Sequence, residues 1–100
     1  MPEVLTITVP GRVYYDYLDP GATAVQSELG LPLPTFIKRG RGSSAIYTDI
    51  PLDVAAETAY HLQSRADLLL GQDADEMAHV HYAARKAAER IAAQIRRGTQ

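Results

Sequence analysis

The sequence predicts an α+β domain: a small three-stranded antiparallel sheet, with a short helix and a C-terminal pair of long antiparallel helices packed on one face. Three observations predict it. "VLTITV" near the start alternates and is rich in β-branched side chains. Two further strand-like runs flank the glycine-bearing stretch "RGRGS". The second half then carries apolar residues at helical spacing, interrupted at Gly71. One hundred residues make a single domain over 1–100.

The first strand is expected over 4–9, ended by Pro10 and Gly11. "RVYYDYLDPG" then pairs Val13 with Tyr17 and Tyr14 with Leu18 at i,i+4, which predicts a short helix over 12–19, stopped by Asp19-Pro20-Gly21. Residues 20–34 read less clearly. Thr23 and Gln26 have capping-box spacing and Gly30 suits a helix end, so one helical turn fits there; "LPLP" after it must be extended. "TFIK" and "SAIYTDI" form a β-hairpin over 35–50, with Gly40 and Gly42 supplying the positive φ of a tight connection. Pro51 opens a helix over 52–70, with Asp53 and Glu57 early in it. Its inward face is Ala55, Thr58, Leu62, Ala66 and Leu69. Asp73 and Glu76 form a D-x-x-E capping box for a last helix over 74–97, closed by Gly98. Its stripe is Met77, Val80, Ala84, Ala87, Ile91 and Ile95, and a row of Ala84, Ala88 and Ala92 lets a neighbouring helix come close.

Composition narrows the function. Of the 46 apolar residues fifteen are alanine, so core volume is small and a second copy covering an apolar face is expected. There is no cysteine, which removes thiolate chemistry and disulfides and fits a cytoplasmic setting. No run approaches a membrane span. Net charge is −2, which argues against a dedicated nucleic-acid binder. Charge is segregated, however. From Asp49 to Glu76 seven acids face one base, Arg65; from Met77 onward five bases face one acid, Glu89. Helix macrodipoles account for that arrangement.

No catalytic or metal residue is expected, and no cofactor. His79 and His81 are two apart, about 200° around a helix, and cannot chelate one ion; with His61 they read as solvated helix positions. "GRGSS" lacks the spacing and lysine of a phosphate loop, and Ser43 and Ser44 lack a nucleophile elbow. The tyrosines say more: six, against one phenylalanine and no tryptophan. A tyrosine buries a large ring while its hydroxyl stays wet, which suits partner-binding surfaces. Tyr14, Tyr15 and Tyr17 crowd one short helix and cannot all point inward, so they are the candidate partner-binding residues.

"TVPGRVYYDYLDPG" and "IYTDIPLDVAAETAYHLQSRADLLL" resemble small uncharacterised proteins of actinobacteria and their phages, with Pro10, Tyr14, Tyr15, Asp16 and Leu18 as matching positions. The resemblance covers about half the chain and implies an origin among phage or accessory proteins, with no assigned activity.

The expected function is therefore a non-enzymatic interaction protein, a homodimer, of the kind a phage uses to bind or modulate a host protein. The alternative is a nucleic-acid binder using Lys38, Arg39 and Arg41 at the hairpin tip, aided by Arg96 and Arg97 at the end of the last helix. It is ranked second because three cations neutralise only about three phosphates, and because Phe36 and Tyr47 lie within strands rather than at the tip. The tip itself reads as a solvated turn whose charges protect a sheet edge.

Overall fold

The computed structural model describes residues 3–19, 21, 24–40, 42–72 and 77–98. Strand β1 (Val4–Pro10) buries Ile7 and Val9 on one side and exposes Thr6 and Thr8 on the other, the period of two that its alternation predicts. It pairs antiparallel with β3 (Gly42–Pro51), which in turn pairs antiparallel with β2 (Thr35–Arg39), giving the order β1-β3-β2. The register slips between Leu5 and Ile7, where β3 carries one extra residue between Tyr47 and Ile50. Asp49 absorbs this bulge with φ of 56°, a left-handed conformation that Asp tolerates better than most residues.

The hairpin forms as expected, closing at Arg39 opposite Gly42. Gly40 supplies a φ of +58° at the turn. Gly42 does not share that role: its φ is not left-handed and it belongs to β3.

The short helix departs from a regular α-helix over 12–19. One turn, α1 (Gly11–Val13), passes into a π-helical turn (Tyr14–Leu18), closed by the Asp19 N–H donating to the Tyr14 carbonyl at 2.8 Å, an i→i+5 bond. The wider turn brings Val13, Tyr14, Tyr17 and Leu18 all inward and leaves Tyr15 and Asp16 outside. Gly11 lets the turn sit against the sheet, since a Cβ there would lie 3.1 Å from the Ser43 carbonyl oxygen and closer still to its hydroxyl.

One helical turn, α2 (Val25–Leu29), ends at Gly30 with φ of +88°, the predicted C-terminal glycine. Thr23 lies outside the described residues. Gln26 serves another purpose, described below. Helix α3 (Leu52–Gly71) follows Pro51 and buries Ala55, Thr58, Leu62 and Ala66, with Leu69 half-buried. Thr58 satisfies its buried hydroxyl by donating to the Val54 carbonyl, 2.8 Å away. Helix α4 (Ala78–Gly98) buries Val80, Ala84, Ala87, Ala88 and Ile91. The Asp73–Glu76 capping box lies outside the described residues. Asp67 of α3 meets Arg85 of α4 at 3.3 Å, and Ala59 shares a groove with Ala92, so the two helices run antiparallel.

Helix α3 packs over β1 and β3 and α4 over β1, and both form one core with the sheet. Strand β2 is different: none of its described side chains is buried. That uneven cover creates the site. Among the described residues, no helix is long and apolar enough to cross a membrane.

Candidate functional site

Two places gather polar or aromatic groups. The first is buried. The Tyr17 hydroxyl and Nδ1 of His81 share a hydrogen bond of 2.6 Å, and the ring Nε2 of His61 donates to the Tyr17 carbonyl at 3.1 Å. Tyr17 and His81 are only 2% and 6% exposed, so His81 is a core residue and His61 a half-buried one. The expectation of solvated histidines holds for His79 and is corrected for the other two. The reason is tertiary: the π-turn delivers a polar hydroxyl and a free carbonyl into the helical layer, and buried groups of that kind must be paired. Burial pushes the Tyr17 phenol up to about 12, with Arg65 opposing part of the rise. Nearby, the buried Tyr47 hydroxyl donates to Oε1 of Gln26 at 2.7 Å, and burial raises its pKa as well. Tyr14 donates to Asp19 at 3.2 Å and is raised by burial and by that carboxylate.

Tyr17, His81 and Tyr47 are closed off by burial. A groove of about 380 Å³ between Leu29, Tyr60, Ser64 and Leu68 reaches His61, but neither Tyr17 nor His81 lines it. The network therefore anchors the π-turn on the helices.

The second place is open. Phe36 and Lys38 alternate onto the helix-side face of β2, and Ser43 pairs with Lys38 across the hairpin. Neither long helix packs substantially on β2. Tyr15, pushed outward by the π-turn, leans against Phe36 with ring planes 10° apart and centroids at 6.2 Å. Tyr14 meets Phe36 edge-on at 5.0 Å and holds it in place. Tyr15 is 56% exposed and Phe36 45%. Together with Pro10, Arg12, Lys38 and Ser43 they line a cleft of about 570 Å³. Among the described residues its lining holds two cations, Arg12 and Lys38, and no acid.

Of the residues singled out by sequence, the structure brings Tyr15 and Lys38 together at this cleft. Tyr14 and Tyr17 are core residues and present no surface to a partner. Arg39 belongs to β2 and Arg41 lies outside the described residues. Arg96 lines a groove with Ala59 and Tyr60 in the first half of α3, which starts where β3 ends, ten residues along the strand from the tip. Arg96 and Arg97 thus do not join Lys38 in one positive stripe. Sequence reasoning missed Arg12 and Phe36. It also placed no aromatic beside the basic tip, whereas Phe36 sits two residues from Lys38 on the same face with Tyr15 beside it. Strand alternation was the available signal for Phe36; nothing local announces Tyr15, twenty-one residues away. No protein-family model, curated protein or solved structure matches the chain, so the reading of the cleft rests on its own geometry.

Proposed function

We propose that this chain is a non-enzymatic interaction protein that binds a partner protein, such as a host component, through the hairpin side of its sheet. One observation carries the reading: Tyr15, Leu33, Phe36 and Ile37 are all large, apolar and exposed, and all lie on or beside β2. Fully burying such a side chain is worth about 1.5–3 kcal/mol, so this apolar area, spread over both faces of β2, is a strong bias toward being covered. Aromatic anchors of this kind dominate interface energetics.

A second copy has a separate place to pack. Tyr60, Leu68 and Tyr82 are exposed on the helical layer, where acids concentrate on α3 and bases on α4, so a two-fold pairing sets opposite charges together. Light scattering at micromolar concentration should give about twice the chain mass, and a Tyr60→Glu change should return it to one. A monomer at that concentration removes the dimer without touching the hairpin reading.

The nucleic-acid reading gains from Arg12 and Lys38 flanking two aromatic rings, a combination that stacks bases and neutralises phosphates. It ranks second because the cations of α4 lie elsewhere and net charge is −2.

The test is affinity capture from a host lysate with wild type and with a Tyr15→Ala/Phe36→Ala variant. Loss of a captured protein in the variant, with the fold intact by circular dichroism, is the expected result. Equal capture by both, or capture of nucleic acid alone, sinks the proposal.

A further inference from the structure

The hairpin side combines a free strand edge with a set of cations, and the combination names the partner's chemistry. We propose that β2 takes up an acidic, extended segment of a partner protein as a fourth strand of the sheet; this rests on the interaction reading above and specifies it.

The edge is the first support. In the order β1-β3-β2 the outer side of β2 faces away from β3, and among the described residues no backbone group pairs with it. Thr35–Arg39 contains no proline and keeps an unbroken register with β3, so its outward N–H and C=O groups form a regular template.

The side chains are the second support. Phe36 and Lys38 face the cleft, whereas Ile37 faces the other side of the sheet, 40% exposed. A strand added alongside therefore meets Lys38 and the Tyr15–Phe36 pair with one set of alternate side chains, with Arg12 lining the same cleft, and Ile37 with the other. Carboxylates suit the first set and β-branched apolar groups the second.

Charge decides between occupants. A second copy of β2 would bring its own Lys38 to the same edge and add like charge there, which is unfavourable. The charges that keep copies of this chain apart thereby leave the edge open to a strand of opposite sign. A nucleic acid satisfies the cations but leaves the strand edge unpaired.

The experiment uses synthetic probes on the full chain. A short peptide alternating valine and glutamate is titrated against the protein, beside a valine–lysine version, a valine–glutamate version with a central proline, and a short oligothymidylate. Anisotropy reads affinity, and amide hydrogen exchange reads protection of Phe36 and Lys38, whose N–H groups alternate with those bonded to β3 and point to the free edge. The acidic peptide should bind at least about tenfold more tightly than the lysine version and slow exchange in β2. The proline version should lose both effects, because it removes a ladder hydrogen bond. Arg12→Gln with Lys38→Gln should weaken the acidic peptide by roughly tenfold. Equal affinity for both charge types, binding without protection of β2, or tighter binding of the oligothymidylate overturns the inference. If the peptides fail while Tyr15→Ala/Phe36→Ala still abolishes partner capture, the acidic-strand inference falls and the interaction reading stands.

Discussion

Tyr15 and Tyr17 stand two residues apart on one π-turn, and their surroundings could hardly differ more. Tyr17 is 2% exposed and hydrogen-bonded to a histidine 64 residues away; Tyr15 is 56% exposed and lies against the rings of Tyr14 and Phe36. The closed region holds most of the chemistry-bearing groups, including two histidines and the tyrosines whose pKa values burial raises. The open region holds, among the described residues, two aromatic rings and two cations. The lesson is that reactive-looking side chains in a small domain are recruited first to satisfy its own core. Exposed area and a free backbone edge, rather than titratable groups, mark the surface available to a partner.

The sharpest way to break this comparison is to truncate each tyrosine. Tyr17→Ala should cost about 3–5 kcal/mol, as expected for removing a buried aromatic ring, and leave a chain of this size barely folded in urea titrations. Tyr15→Ala should move the urea midpoint little and act on binding instead. Comparable losses of stability from both would dissolve the distinction between anchor and surface.

Removing only the hydroxyl sharpens it further. Tyr17→Phe keeps the ring but leaves His81 Nδ1 buried without its partner, at a cost of about 1–3 kcal/mol. Tyr15→Phe, whose lost hydroxyl makes no hydrogen bond among the described residues, should be neutral within about 0.5 kcal/mol.

Alkaline pH reads the same network without mutation. The Tyr17 phenol titrates near 10 when unfolded and near 12 when folded, because burial disfavours the phenolate. Below pH 10 it is protonated in both states and its contribution is present in full. Between pH 10 and 12 the unfolded chain sheds that proton while the folded one keeps it, so stability falls as pH rises. Burial shifts Tyr47 in the same direction. Melting temperature should drop through this window, and less steeply in Tyr17→Phe. A flat profile above pH 10 would contradict the buried hydroxyl.

The hairpin tip closes the series. Gly40→Val should cost about 1 kcal/mol or more at a φ of +58°, whereas Gly42→Val meets no atom within 4 Å and should cost less. Replacing Lys38, Arg39 and Arg41 by glutamine should leave thermal stability nearly unchanged, since exposed charges contribute little. A large drop from the charge variant would make the tip a structural element instead of a recognition one.

Local chemistry in the sequence determined the element order, the hairpin, the helix-ending glycines and the inward faces of the two long helices. Alternation, helical spacing and turn residues each act over a few positions, so Ala55, Thr58, Leu62 and Ala66 were legible on α3, as were Val80, Ala84 and Ile91 on α4. Only the tertiary structure decided the rest. The π-turn depends on an extra residue fitted between sheet and helices, and no spacing rule separates it from an α-helix. The Tyr17–His81 bond and the Tyr15–Phe36 pair join residues 64 and 21 positions apart. Whether a given tyrosine faces the core or the solvent was settled where the helical layer ends over the sheet. That boundary is a property of packed volumes, which the residues on either side of it do not encode locally.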